Sequence, residues 1–345
     1  MTIARNDNSS PGDAAARATS LTLAGSTRDW SPYRGKRVVV TGGLGFVGSN
    51  VSRSLAAAGA RTVVLDDEFT GKKENLAGCP GIEIVTGSVV DADLVRQVTR
   101  EADVVFHLAC RNIIVSTRDP YQDCQVNTVG TVNVLLAARE NAVGRVVYSS
   151  SASVYGNPYR LPATEEDPPR LYSPYAASKY AGESFCQAYY ESFGLPVAVL
   201  RYSNVYGTMQ RPDNPYCGVV SRFMDAALLG GPLRIFGDGD QTRDFTYIDD
   251  VVEATLLAGI APQAVGQIYN VATGREVSVN QLAKLVIEMS GVPCKLDHVE
   301  KRDIDTVRRR VLSAEKIRHD LRWSALIPME EGLRRTFAWL KGEKS

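Results

Sequence analysis

Residues 37–50 read Arg-Val-Val-Val-Thr-Gly-Gly-Leu-Gly-Phe-Val-Gly-Ser-Asn. Arg37 to Val40 is a short β-branched run, the composition of a strand buried on both faces. Gly42, Gly45 and Gly48 follow at a spacing of three. Val47, Val51 and Leu55 then recur at helical spacing, so a helix opens inside the glycine run. Gly42 can adopt backbone angles closed to other residues, Gly45 lets the chain approach a pyrophosphate, and Gly48 lets helix and strand pack closely. Free N–H groups at the helix start, together with its dipole, attract phosphate. A second apolar run, Arg61 to Leu65, ends at Asp66, 21 residues past Gly45. A dinucleotide-binding unit places a ribose-binding carboxylate at about this distance. Because an acid there repels a 2′-phosphate, NAD is expected rather than NADP.

Working outward, Ile82–Val85, Val104–Leu108, Val146–Ser149 and Val197–Leu200 read as further strands. Helical stretches lie between them, at Asp91–Arg100, from Pro120 towards Glu140, and from Tyr175 to Phe193. This alternation predicts an α/β fold, a doubly wound parallel sheet of Rossmann type. Beyond Asn204 the pattern loosens into a smaller mixed lobe. There Leu233–Phe236 is a short strand, and Val219–Leu229, Asp249–Gly259 and Ser278–Met289 are helices. Ser278 and Gln281 stand as a capping box. Ile268–Val271 is a strand placed to rejoin the main sheet. Residues 1–33 lack periodicity and read as a disordered or arm-like extension. The expected division is 34–203 for the dinucleotide-binding domain and 204–345 mainly for a substrate-binding lobe.

Lys plus Arg equals Asp plus Glu at 39 each, so no basic field exists to draw in nucleic acid or anionic membrane. No apolar run approaches the roughly 20 residues of a membrane span. The N-terminus lacks the apolar core of a secretory signal. The six cysteines form no Cys-x-x-Cys pair, and with three histidines no metal-ligand pattern emerges. A cytoplasmic protein with reduced thiols is expected.

Chemistry concentrates where Ser149-Ser150-Ser151 ends the fifth strand and Tyr175 and Lys179 lie four apart at a helix start. Residues four apart share one helix face. A free phenol has a pKa of about 10, and a neighbouring ammonium favours its ionised form. Tyr175 is therefore expected to take a proton from a sugar hydroxyl as hydride leaves the same carbon, with Ser151 bonded to that hydroxyl.

These motifs, with Thr41 to Gly48, His107-Leu-Ala109, Asn127 with Gly130-Thr131, Leu200 to Gly207, Arg243 to Asp250 and Tyr269-Asn-Val271, resemble the extended short-chain dehydrogenase/reductases. Within these, the chain is most similar to the nucleotide-sugar epimerase/dehydratase group, to which UDP-glucose 4-epimerases belong, over residues 36–340. The resemblance implies Ser151, Tyr175 and Lys179 as catalytic residues. It implies cofactor contacts from Gly42, Gly45, Phe46, Val47, Asp66, Ser88, Val89, Leu108, Ala109, Asn127, Ser149, Tyr175 and Lys179. It also implies sugar-nucleotide contacts from Ser151, Ser153, Asn204, Val219 and Arg243. A second diphosphate arginine falls on Arg302 or Arg308, either of which has a surface ion pair as its plain alternative. Arg111 is expected near the sugar, reading a carboxylate or a phosphate, unless it only forms a loop salt bridge.

Three departures bear on the reaction. Dehydratases of the group carry an Asp-Glu pair after the catalytic Ser/Thr, where this chain has Ala152 and Ser153. Decarboxylases of the group usually have Glu where Ser153 stands. Ser88 replaces an adenine-side Asp. The expectation is NAD-dependent epimerisation of a nucleotide-diphosphate sugar, UDP favoured, at C4 through a keto intermediate, in a homodimer. The alternatives are another enzymatic branch of the group or a non-catalytic nucleotide-sugar-binding protein.

Overall fold

The computed structural model describes residues 28–344. Seven parallel strands form the central sheet: β1 Arg37–Thr41, β2 Arg61–Asp66, β3 Ile82–Thr86, β4 Val104–His107, β5 Arg145–Ser151, β6 Val197–Tyr202 and β10 Gln267–Val271. Their order is β10-β6-β5-β4-β1-β2-β3. The expected late strand does rejoin the sheet, pairing with β6 from Gln267↔Ala198 to Val271↔Tyr202. Strand alternation splits the core in two. Val38, Val40, Val64, Phe106 and Val147 face one layer, and Val39, Val63, Leu65, Val105 and Val146 face the other. Helices cover both faces. On one, α1 (Phe46–Ala57) packs against α8 (Ile248–Ile260). On the other lie α2 (Ala92–Val98), α5 (Gly130–Glu140) and α6 (Pro174–Phe193).

The sheet order reverses between β1 and β4, and ligands of such sheets bind in the crevice beyond that switch point. The loops there are in contact, since a Cβ on Gly42 would lie 2.7 Å from Ala109 Cα.

The second lobe carries β7 (Asn204–Tyr206), β9 (Thr242–Tyr247) and β11 (Glu276–Ser278) in one small sheet. β8 (Leu233–Phe236) pairs with β12 (Leu296–Val299) in another. Its helices include α7 (Val219–Leu228), α9 (Val279–Ser290), α10 (Glu315–Leu321) and α11 (Met329–Lys344). Ser278 and Gln281 form the full capping box at the start of α9.

Two local readings change. The loop expected at Arg111 leads at once into helix α3 (Ile113–Arg118), capped by the Asn112 side chain on Ile114 and Val115 N–H. The helix expected from Pro120 is interrupted. A first turn α4 (Pro120–Asp123) passes through a π-helical turn, Cys124–Val129, before α5 begins. The N-terminal extension lies largely outside the described residues. At its end Tyr33 is fully buried, tilted against Phe106 and donating to the Leu256 carbonyl at 2.6 Å. That tyrosine therefore belongs to the core. No helix among the described residues is long and apolar enough to cross a membrane.

Candidate active site

The first cleft lies over the glycine turn. Gly42 has φ +69°, a left-handed backbone that favours glycine. A Cβ on Gly48 would stand 2.0 Å from the Gly42 carbonyl oxygen, so only glycine lets α1 start against the turn. Gly45 caps α1 with no side-chain partner for the first N–H groups, which leaves them free for an anion. Gly42, Gly45, Phe46, Val47, Asp66, Val89, Leu108 and Ala109 all line this cleft. Ser88 does not; its hydroxyl accepts from Val90 N–H at 3.2 Å and holds the turn into α2.

Asp66 ends β2 almost fully buried. One carboxylate oxygen accepts from Leu44 N–H at 2.9 Å and the other from Glu68 N–H at 2.8 Å. Each oxygen keeps a second lone pair for a ligand hydroxyl. Burial raises its pKa against these two bonds, and Asp67 and Glu68 add to the rise. Asp66 opposes a 2′-phosphate, while Asp67 and Glu68 are ion-paired with Arg111 and Lys73.

Arg111 lines this dinucleotide cleft and makes the loop ion pair that was its plain alternative. It pairs with Asp67 at 2.6 Å and stacks 4.0 Å over the Phe69 ring. Its backbone is clamped by Asn127, which accepts from Arg111 N–H at 2.7 Å and donates to its carbonyl at 3.0 Å. Asn127 is thus a buried support for the loop after β4, fixed in turn by Asp123 and Ser178.

The reactive end adjoins this cleft, with the Cys110 thiol next to the Tyr175 phenol and Tyr216 and Cys217 lining both clefts. Ser173 caps α6 on Ala176 N–H, which sets Tyr175 in the first turn. Ser151, Ser153 and Tyr175 line the second cleft together. The Ser151 and Ser153 hydroxyls are 3.1 Å apart. Burial holds the Tyr175 phenol well above its usual pKa; Ser151 and Arg310 act in the opposite direction.

Lys179 follows Tyr175 by four residues on α6. It is buried, donating to the Ser149 carbonyl at 2.6 Å and lying 5.0 Å over the Tyr148 ring. The Ser149 hydroxyl donates to the His107 carbonyl. Lys179 and Ser149 therefore stand beneath the cleft floor. Arg310 is a cation that bears on the phenol.

Arg310 is also the residue that the sequence reading missed. It lines the second cleft with Asn204, Val219, Arg243 and Arg302, and its Nη2 lies 3.4 Å from Asn204 Oδ1. Arg302 is occupied by Asp305 through two bonds of 2.8 Å and sits 4.4 Å over Phe236. Arg308 points elsewhere, to Asp238 on the surface. Among the described residues, no group of three or more His, Cys, Asp or Glu could hold a metal ion.

A glycine turn under a helix start, a carboxylate at the end of β2 and an adjoining Ser/Tyr cleft form one constellation. The family model described as the NAD dependent epimerase/dehydratase family matches residues 38–272. The protein belongs to the NAD-dependent epimerase/dehydratase family. A UDP-glucose 4-epimerase of Mycolicibacterium smegmatis is 38% identical over 89% of this chain and 99% of its own. A UDP-N-acetyl-alpha-D-glucosaminuronate decarboxylase of Bacillus cytotoxicus is 33% identical over 89% of this chain and 98% of its own, and a putative UDP-glucose 4-epimerase of Methanocaldococcus jannaschii is 36% identical over 88% of this chain and 98% of its own. The solved Thermus thermophilus UDP-glucose 4-epimerase complex with NAD superposes with TM-score 0.83 at 36% identity, covering 89% of this chain and 99% of that one. The cofactor is NAD, and the glycine cradle and Asp66 fit it.

Family membership does not explain how the site is held rigid; a buried network does. Glu183 on α6 and Arg201 on β6 pair at 2.6 Å with side chains 2% and 4% exposed. Arg201 also donates to the Tyr155 hydroxyl at 2.8 Å, which donates to Asn270 at 2.7 Å. The Ser150 hydroxyl donates to Glu183. One network thus ties β5, β6, β10 and the helix carrying Tyr175.

His107 lies at the centre of the sheet, bonded to Thr41 at 2.7 Å and Thr131 at 2.9 Å. Burial, with Lys179 adding to it, lowers its pKa to about 3. An unfolded histidine titrates near 6.5, so between these values the unfolded chain binds the extra proton. This contribution to stability is fully present above about pH 6.5 and is lost as pH falls towards 3, by on the order of 3–5 kcal/mol. Urea midpoints measured from pH 7 to pH 4 should therefore fall more steeply for the parent than for His107→Gln. Parallel curves would contradict this.

Proposed function

We propose that the protein epimerises a nucleotide-diphosphate sugar at C4 through a 4-keto intermediate, with UDP as the favoured nucleotide. The observation that carries this is Tyr175 and Ser151 on one cleft wall, adjoining the dinucleotide cleft, with no carboxylate at 152 or 153. Tyr175 takes the C4 hydroxyl proton and later returns it, while Ser151 holds the same oxygen. NAD, when bound, supplies a hydride acceptor and donor and a positive ring beside the phenol. Burial keeps the phenol neutral until cations favour its ionised form, a role we give to Arg310. Lys179 acts as support, bracing the Ser149 carbonyl under the strand that presents Ser151. Arg243 and Arg302 meet the diphosphate, and Asn204 and Val219 line its path. Anchoring at the diphosphate leaves the keto sugar free to turn its other face.

The acids expected of dehydratases or decarboxylases are replaced by Ala152 and Ser153, which supports epimerisation over those branches. The relatives named as UDP-glucose 4-epimerases support UDP. Incubation with a panel of nucleotide sugars, followed by NMR, should give C4 epimers with no change of oxidation state. A 4-keto-6-deoxy product or released carbon dioxide would refute the proposal.

Tyr121, Val129 and Phe185 are exposed on or beside α4 and α6. We propose that these helices form a homodimer interface; a monomer in analytical ultracentrifugation would contradict it. All six cysteines are free, which supports a reducing, cytoplasmic setting.

A further inference from the structure

Two segments from different lobes meet beside the dinucleotide cleft. One is the turn after β2, residues 67–72, and the other is the connection from β7 to α7, residues 207–218. Phe69 and Tyr216 stack where they meet, with ring centroids 6.1 Å apart and planes 8° from parallel. The Arg111 guanidinium lies 4.0 Å from the centroid of the same Phe69 ring. Lys72 pairs with Asp213 at 2.6 Å. Both segments line the dinucleotide cleft, the first through Phe69 and Gly71 and the second through Gln210 and Tyr216.

The two rings do not fill a core. Besides the dinucleotide cleft they line a further cavity, with Met209, Arg211 and Pro215, and Phe69 is 40% exposed. A close-packed interior resists movement of a ring; here open space adjoins the contact. Each segment also holds a non-glycine residue in the left-handed region, Glu68 at φ +56° and Met209 at φ +70°. Such angles cost free energy and persist only where surrounding contacts hold them. The lobe segment is fixed to α7. The Ser221 hydroxyl donates to the Gln210 carbonyl at 2.6 Å, and Arg222 donates to the Pro215 carbonyl at 2.6 Å. If the segments separate, they do so at the contact between Phe69 and Tyr216.

We infer that Phe69 and Tyr216 form an aromatic latch between the two lobes, which must part before NAD leaves its cleft. The stack carries the latch. The Lys72–Asp213 pair is about half exposed, and such surface pairs contribute little. The stacked rings, with Arg111 against one of them, gain from both ring–ring and cation–ring attraction. The latch lets the lobes move for sugar binding while the cofactor stays in place. It concerns the NAD cleft alone and stands whether or not the C4 chemistry does.

The test uses the full chain loaded with NADH. Release is followed by the loss of NADH fluorescence after mixing with excess NAD. Phe69→Ala and Tyr216→Ala should each speed release by roughly tenfold. Acting through one contact, the double variant should release no faster than the faster single one. Phe69→Tyr and Tyr216→Phe keep the stack and should stay within about threefold of the parent, and Lys72→Ala within about twofold. Phe69→Leu and Tyr216→Leu keep apolar bulk for folding and should still speed release several-fold. Melting curves and one NADH bound per chain confirm that each variant is intact. Unchanged release in the alanine and leucine variants would overturn the inference. So would a double variant whose acceleration is the product of the single ones, because each ring would then touch the cofactor independently.

Discussion

Tyr175→Phe should lower kcat by about 10²–10⁴-fold while leaving nucleotide-sugar binding nearly unchanged. The range is that of a positioned general acid–base group. The substitution removes one oxygen from a ring whose hydroxyl faces the cleft beside Ser151. Ser173 still caps α6, and the network beneath the helix makes no use of the phenol. The loss should therefore fall on the chemical step, with folding spared. Ser151→Ala should cost less, because the hydroxyl shares the substrate bond without taking the proton. Binding measured by calorimetry separates the two effects. Full activity in Tyr175→Phe would remove the proton-transfer role.

The second large effect concerns stability. Glu183→Leu leaves the Arg201 guanidinium buried with its main partner gone. Breaking a buried pair from one side costs about 3–5 kcal/mol. Arg201 retains the Tyr155 hydroxyl, which cannot neutralise it. The Ser150 hydroxyl loses its acceptor as well. The double variant Glu183→Leu with Arg201→Met removes both charges. It should regain a good part of the lost stability, because the desolvation penalty disappears with the second charge. Urea unfolding of the four proteins closes the cycle. A double variant less stable than either single one would mean that the network stabilises chiefly through its geometry.

The parts of this site legible in sequence are those with a period or fixed spacing. The glycine run, the strand before it and Asp66 announce one another along the chain. The structure places Gly42, Gly45 and Asp66 on one cleft wall as that spacing requires. Spacing says less about depth. Tyr175 and Lys179 share a helix face, yet one turn carries the chain from the cleft to beneath the Ser149 carbonyl. Arg310, from a distant part of the chain, adds to the field on the phenol.

Arg310 was hidden because it lies in an irregular segment after β12 with three consecutive arginines. Arg308 goes to Asp238, Arg309 to Glu276 and Arg310 into the cleft. The available signal was Val311-Leu312, buried through the Ala163 pairing, which draws the adjacent arginine inward. The choice between the readings of Arg111 was open for a related reason. Its loop is set by Asn127, whose position in a π-helical turn has no sequence period.

The central claim is that the hydrogen taken from C4 returns to the same carbon. The direct measurement uses a substrate carrying deuterium at C4, turned over in ordinary water and examined by NMR. Retention of the deuterium at C4 in the epimer is the predicted result. Its replacement by solvent hydrogen would contradict the account.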